Sequence, residues 1–166
     1  MKTHDDLKAA FAGESQANRK YLAYAKKAEQ EGYPNVANLF RAVAAAETVH
    51  AHNHLKIMGG INTTRENLAD AMGGESYEIT TMYPEFIEHA KAEGEDKARR
   101  SFEWAWEVEK IHEGLYKQAL EALEHGDIEA GDYWVCGTCG HTHIGPDEPE
   151  ECPICGAKRK FYTKID

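Results

Sequence analysis

Over most of this chain, hydrophobic residues recur among polar ones with the period of an α-helix. Between Thr3 and Gln30 the apolar residues recur at steps of three, four or seven, with no proline and a single glycine, Gly13. This spacing places them on one face of a helix. The same face carries a carboxylate, Glu14, so we predict a long helix whose buried side holds an acidic group.

A second helix is predicted from Pro34 to about Met58. Gly32 suits the end of the first helix, and Pro34 is tolerated at the start of the next one but not inside it. Polar residues that can bind metals interrupt the apolar stripe of this second helix, which consists of Val36, Phe40, Val43, Glu47, His50, His54 and Ile57.

The chain between Ile61 and Gly74 is long enough to serve as a crossover connection, with a short helix after Thr64. A third helix is predicted from near Glu75 to Ala92, kinked at Pro84.

A fourth helix follows Gly94 and runs to about His125, and its stripe repeats that of the second. Residues 62 positions apart match across the two halves: Ala28/Ala90, Glu31/Glu93, Gly32/Gly94, Phe40/Phe102, Glu47/Glu109 and His50/His112. Two repeated helix pairs predict a four-helix bundle.

Each half of the predicted bundle carries a Glu-x-x-His motif, Glu47-x-x-His50 and Glu109-x-x-His112. Residues three apart lie on one helix face, about one turn from each other, so each pair can hold one metal ion. Single carboxylates on the other two helices, Glu14 and Glu78, complete a set of four glutamates and two histidines.

This donor set is the one found in ferritin-like di-iron and di-manganese carboxylate proteins. A solvated polar helix face is the ordinary explanation for one such motif. Two copies within apolar stripes favour a metal site instead, because buried carboxylates without a counter-charge would repel one another or take up protons.

The composition changes from Gly131 onwards to glycine, proline, cysteine and short β-type runs, after a linker over residues 127–132. We expect two domains, 1–130 and 131–166. The second is too small to be stable through an apolar core alone. Two Cys-x-x-Cys-Gly motifs can bind one tetrahedral metal through four thiolates, Cys136, Cys139, Cys152 and Cys155. Iron and zinc both fit this set.

The amino-acid composition and net charge exclude some classes of function. There are 29 acidic residues against 19 basic ones, and the net charge of −10 argues against nucleic acid or an anionic membrane as a partner. No apolar run resembles a signal peptide or a membrane span, so a cytoplasmic protein is expected.

Taken together, these motifs resemble the rubrerythrin family across essentially the whole chain. The resemblance rests on Phe11-Ala-Gly-Glu14-Ser-Gln-Ala, the two Glu-x-x-His motifs, Met82-Tyr83-Pro84 and a rubredoxin-like tail. It implies a peroxidase of oxidative-stress defence that reduces hydrogen peroxide to water. It also implies a homodimer in which electrons cross from one subunit's tetrathiolate iron to the other's di-iron site, supplied by a rubredoxin or its reductase.

The resemblance also implies roles for single residues. Six of them match the di-iron ligands and four match the tetrathiolate, while Tyr21 matches a tyrosine hydrogen-bonded near the irons. The di-iron set is Glu14, Glu47, His50, Glu78, Glu109 and His112, and the tetrathiolate set is Cys136, Cys139, Cys152 and Cys155.

One position departs from the family pattern. A further ligating glutamate usually stands directly before Met-Tyr-Pro and exchanges with the first-motif histidine when the irons change oxidation state. Here that position is Thr81, which has no carboxylate. We therefore hypothesise that His50 stays bound in both oxidation states.

Three other functions remain open from sequence. A ferroxidase or iron-storage protein would use the same bundle, although it has no need of a tetrathiolate that returns electrons. An oxygen reductase would use both centres. A non-enzymatic binding module would carry a purely structural zinc in the tail.

Overall fold

The computed structural model of the chain describes residues 2–129 and 131–165, so residue 130, at the predicted domain boundary, lies outside the described residues. The chain divides into two compact units, Met1–Asn62 and Thr63–Asp166. The described helices are α1 (Lys2–Gln30), α2 (Pro34–Ile57), α3 (Thr64–Tyr77), α4 (Tyr83–Glu93) and α5 (Asp96–Ala122). A π-helical turn (Glu78–Met82) joins α3 to α4, and three strands follow: β1 (Tyr133–Cys136), β2 (Thr142–Ile144) and β3 (Tyr162–Ile165).

The first unit is a hairpin of α1 and α2, with both helices close to their predicted limits. Gly32 adopts a φ of 82°, which ends α1, and Pro34 begins α2. Alanines at the contact, Ala25, Ala28 and Ala37, allow the two helices to approach closely. Further along the hairpin, the Asn18 amide donates to the carbonyl oxygen of Ala44 and ties α1 to α2.

The helices of the second unit differ from the sequence prediction at one end. The third helical stretch begins at Thr64 rather than near Glu75, because Thr63 and Glu66 form a reciprocal capping box. The helix then continues through Gly73 and Gly74 without a break. Ahead of Pro84 the backbone widens into the π-helical turn, where the Trp106 indole donates to a backbone carbonyl oxygen.

The tail of the second unit is a three-stranded antiparallel sheet in the order β2-β1-β3. Its small core consists of Cys136, Cys152 and Tyr162, with Trp134 packed against them. The sheet lies against α5, where Val108 is only 2% exposed. The predicted helical architecture and small β-type tail are thus confirmed.

No helix among residues 2–129 and 131–165 has the length and apolar character needed to cross a membrane.

Candidate metal centres

The first helical hairpin brings together three of the predicted ligands. Glu14 lies on α1 and Glu47 and His50 lie on α2, and one ligand atom from each falls within 4.8 Å of the others. The Nδ1 atom of His50 is 3.0 Å from a Glu47 carboxylate oxygen and 4.0 Å from one of Glu14. The His50 side chain is 55% exposed in this arrangement.

The charges of this group favour a bound cation. A hydrogen bond to Glu47, followed by partial burial, raises the pKa of Glu14. The same hydrogen bond, together with one from His50, lowers the pKa of Glu47. Two carboxylates in contact share a proton when no other positive charge is near. A metal ion would replace that proton, and carboxylate with imidazole is a donor set that suits iron.

A second group of the same composition lies on the other unit. Its members are Glu75 from α3 and Glu109 and His112 from α5, again with ligand atoms within 4.8 Å of one another. The Nδ1 atom of His112 is 2.6 Å from a Glu109 carboxylate oxygen. Burial and the neighbouring carboxylate of Glu109 raise the pKa of Glu75 to about 7. This crowded anionic group also suits a cation.

Glu75 was not among the residues singled out from the sequence, where Glu78 was the expected ligand. Spacing provides a signal that could have found it: Glu14 precedes Glu47 by 33 residues, whereas Glu75 precedes Glu109 by 34 and Glu78 precedes it by 31. The sequence prediction placed the start of a helix at this point, which hid the correspondence.

Glu78 lies beside this group, at the first position of the π-helical turn. Burial and the charge of Glu109 raise the pKa of Glu78, while His112 acts in the opposite direction. Glu78 is therefore close enough to interact with both residues. Thr81, in the same turn, is exposed, and its hydroxyl lies 3.4 Å from that of Thr80.

A hydrogen bond joins the second group to the tail. The Nε2 atom of His112 lies 2.9 Å from the hydroxyl oxygen of Thr142 on β2. Thr142 in turn donates to the carbonyl oxygen of Gly140, next to Cys139, at 3.3 Å. Because Thr142 donates its single proton to Gly140, its oxygen can accept a hydrogen bond from Nε2 of His112, and an imidazole protonated on Nε2 would leave Nδ1 able to bind a metal ion.

Each helical hairpin also contains a cluster of three aromatic rings. Tyr21, Tyr24 and Phe40 pack with ring centres 5.6 to 6.2 Å apart. The second cluster has centres 5.6 to 6.4 Å apart and occupies positions 62 residues later: Tyr83, Phe86 and Phe102. Tyr83 is thus the counterpart of Tyr21, and burial together with Glu78, Glu109 and Glu75 raises the pKa of its hydroxyl.

The four cysteines of the tail converge on one point, as predicted. The sulfur atoms of Cys136 and Cys155 are 3.8 Å apart and those of Cys139 and Cys152 are 3.5 Å apart, and none of the four forms a disulfide. A tetrahedral metal with bonds of about 2.3 Å separates its sulfur ligands by roughly 3.8 Å, so the four residues fit such an ion.

The two glycines that follow the Cys-x-x-Cys pairs shape this site. Gly140 and Gly156 have φ angles of 85° and 74°, in the left-handed region that favours glycine. Their backbone N–H groups donate to the carbonyl oxygens of Cys136 and Cys152 at 2.9 Å, which closes each turn around the metal position.

Comparison with known proteins agrees with this picture. The sequence profile of the rubrerythrin family matches residues 5–120, and that of the rubrerythrin rubredoxin-like domain matches residues 134–163. The chain therefore belongs to the rubrerythrin family. Members of this family combine a ferritin-like di-iron site with a rubredoxin-like four-cysteine site, and the two Glu-Glu-His groups and the thiolate cluster fit iron in both.

Individual relatives cover nearly the full chain. Rubrerythrin-2 of Clostridium acetobutylicum is 38% identical over 175 residues, which is 96% of this chain and 95% of that protein. Nigerythrin of Nitratidesulfovibrio vulgaris is 36% identical, with 97% of this chain and 85% of that protein covered. Among solved structures, fully reduced, all-ferrous nigerythrin matches with a TM-score of 0.58 and 34% identity over 98% of this chain and 86% of that one.

Proposed function

We propose that this protein is a non-haem di-iron peroxidase that reduces hydrogen peroxide to water with electrons delivered through its tetrathiolate tail. Membership of an oxidoreductase family supports the general class. The observation that carries the specific proposal is the hydrogen bond from His112 to Thr142, since it joins a metal-binding group directly to the domain that holds the four thiolates.

The proposed ligands are divided between two groups. Glu14, Glu47 and His50 would hold one iron. Glu75, Glu109 and His112 would hold the other, with Glu78 beside them. Ferrous iron bound there would provide one electron per ion to the peroxide and Lewis acidity toward its oxygens. Peroxide takes up these two electrons and two protons and yields two molecules of water.

The chain's own residues have definite tasks in this reaction. The carboxylates would neutralise the positive charge of the irons, and Glu47 and Glu109 lie beside the Nδ1 atoms of His50 and His112, so each pair presents its ligand atoms together. Thr142 is in position to accept a hydrogen bond from Nε2 of His112, which would leave Nδ1 able to bind a metal ion.

In this proposal the tetrathiolate tail passes electrons to the di-iron site one at a time. Four thiolates suit an iron that cycles between ferrous and ferric without losing a ligand. The resemblance implies a crossing between subunits, but the contact from Cys139 through Gly140 and Thr142 to His112 supports a route within one chain. A protein of the rubredoxin class or its reductase would supply electrons to the tail. The protein would act as a homodimer in the cytoplasm, where the four thiols stay reduced.

The test uses iron-loaded, anaerobically reduced full-length protein. One equivalent of hydrogen peroxide per two Glu-Glu-His irons is added, and the visible spectrum is followed by stopped flow. Rapid diferric absorption followed by growth of ferric-thiolate bands is expected. Reaction with oxygen but not with peroxide would favour an oxygen reductase or a ferroxidase, and zinc in place of iron in the tail would favour the binding-module alternative.

A further inference from the structure

Two polar side chains are buried beside the four cysteines of the tail. His141 is 6% exposed and Tyr162 is 8% exposed. The Nδ1 atom of His141 lies 2.7 Å from the Tyr162 hydroxyl oxygen, and the two rings meet edge to face. Burying such groups is unfavourable unless their hydrogen bonds are made, so both His141 and Tyr162 need hydrogen-bond partners at this position.

The partner of the tyrosine hydroxyl is a ligand sulfur. Tyr162 belongs to the same small core as Cys152, and its hydroxyl lies within hydrogen-bonding reach of the Cys152 sulfur. A hydroxyl donor at this position stabilises the negatively charged sulfur, which is the form that binds metal.

The direction of both hydrogen bonds follows from the metal-bound state. A thiolate has no proton and can only accept, so the Tyr162 hydroxyl must donate to Cys152. The hydroxyl has no second proton, so His141 must donate to its oxygen from Nδ1. This donation makes the hydroxyl a stronger donor toward the sulfur.

The backbone of His141 holds this arrangement in place. Its carbonyl oxygen accepts the N–H of Cys136 at 2.9 Å, and its own N–H donates to the Cys139 sulfur. The position of the imidazole is thereby fixed relative to two of the four ligands.

We propose that the Tyr162 hydroxyl, supported by His141, raises the reduction potential of the tetrathiolate iron through its hydrogen bond to Cys152. Reduction adds one negative charge to the iron and its four sulfurs. A donor to one of these sulfurs binds the reduced centre more strongly than the oxidised one, and hydrogen bonds to ligand sulfur are among the determinants of such potentials. Tyr162 is a potential-setting residue and His141 positions it.

A raised reduction potential affects the direction of electron flow. This part of the inference rests on the proposed function, which requires iron in the tail. A higher potential makes the tail a better acceptor from its donor protein. The tail then remains reduced between reactions and ready to return electrons.

The potential is measured by spectroelectrochemical titration of the ferric-thiolate band in the full-length iron protein, without peroxide. Tyr162→Phe keeps the ring and removes the hydroxyl. We expect the equilibrium constant for reduction to fall about tenfold, which for a one-electron couple is a potential about 59 mV lower. Tyr133→Phe is the matched control, because Tyr133 alternates with Cys136 across β1 and its side chain points to the opposite face of the sheet.

Two further measurements keep the inference testable if Tyr162→Phe folds poorly. His141→Phe removes the supporting donor and should lower the potential by a smaller amount. Resonance Raman spectra of the iron–sulfur stretches should shift on transfer of the native protein to D₂O, and part of that shift should be missing in Tyr162→Phe. Unchanged potentials in both variants would overturn the inference, whereas absence of the ferric-thiolate band would count against the proposed function instead.

Discussion

The hydroxyl oxygen of Thr142 lies 2.9 Å from Nε2 of His112, so one residue of the small β-sheet is in position to accept a hydrogen bond from a proposed iron ligand. Partners of this kind orient metal-binding histidines, and their loss commonly weakens metal binding 10- to 100-fold. The same contact joins α5, which carries Glu109 and His112, to the sheet that carries the first of the four cysteines.

Thr142→Val, which preserves the shape but removes the hydroxyl, is expected to weaken iron binding by the Glu75, Glu109 and His112 group about tenfold. A chelator competition titration on the full-length protein measures this. Thr163→Val on the exposed side of β3 is the control and should leave iron affinity unchanged. Equal affinities for native and Thr142→Val protein would contradict the orienting role.

Glu75 and Glu78 can be told apart by substitution. Glu75→Gln should lower iron affinity at the second group by more than about tenfold, because it removes one of three clustered donors. Glu113→Gln is the matched control, since Glu113 also acts electrostatically on Glu75 but is not in the cluster. If only Glu78→Gln removed iron, Glu78 would be the ligand that the family resemblance implies and Glu75 a neighbour.

Cys152→Ser should separate the two halves of the reaction. The variant loses one thiolate of the tail but keeps both Glu-Glu-His groups. We expect the reduced protein to react once with peroxide at an undiminished rate and then to turn over at least about tenfold more slowly than the native enzyme with a rubredoxin-type donor. Undiminished steady-state turnover would show that electrons enter elsewhere.

The absence of a carboxylate at Thr81 does not by itself keep His50 bound when the irons change oxidation state. The structure places Glu75 in the second group, and Glu78, three residues later, lies beside that group with a carboxylate of its own. Crystals of oxidised and reduced protein test the hypothesis drawn from Thr81. His50 bound in both states would support it, and departure of His50 from its iron on oxidation would contradict it.

The start of α3 provides a test of stability against pH. A side-chain hydrogen bond from Thr63, followed by one from its backbone, lowers the pKa of Glu66. The stabilising effect of the ionised Glu66 carboxylate is present above the ordinary glutamate pKa and is lost as pH falls through the lowered value. Thr63→Ala also removes the N-cap side chain, and loss of such a cap reduces the free energy of unfolding by about 1 kcal/mol at pH 7. In urea denaturation the difference from the native protein should be smaller at pH 3.

The sequence was sufficient to predict most helix limits because glycine and proline mark them directly. Gly32 with Pro34, and Gly94, end or begin helices as expected. The four-thiolate site was equally easy to predict, because two short loops of fixed spacing leave the four cysteines few other arrangements.

The middle of the chain was harder to predict for a physical reason. Gly73 and Gly74 suggested a break, since each glycine costs a helix up to about 1 kcal/mol, yet the capping box and packing on α5 sustain α3 through them. The π-helical turn then rotates the helix faces, so a simple period could not assign Glu75 and Glu78. The contacts of Thr142 and Tyr162 depend on the tertiary structure and have no sequence periodicity.

The paired aromatic clusters bear on how such a chain arises. Tyr21, Tyr24 and Phe40 recur 62 residues later as Tyr83, Phe86 and Phe102, each set in a hairpin with its own Glu-x-x-His motif. Duplication of one ancestral hairpin gene, followed by fusion of the copies, leaves this pattern. Among the described residues the π-helical turn and the contact with the tail belong to the second copy alone, so two modules of like sequence pattern now differ in structure.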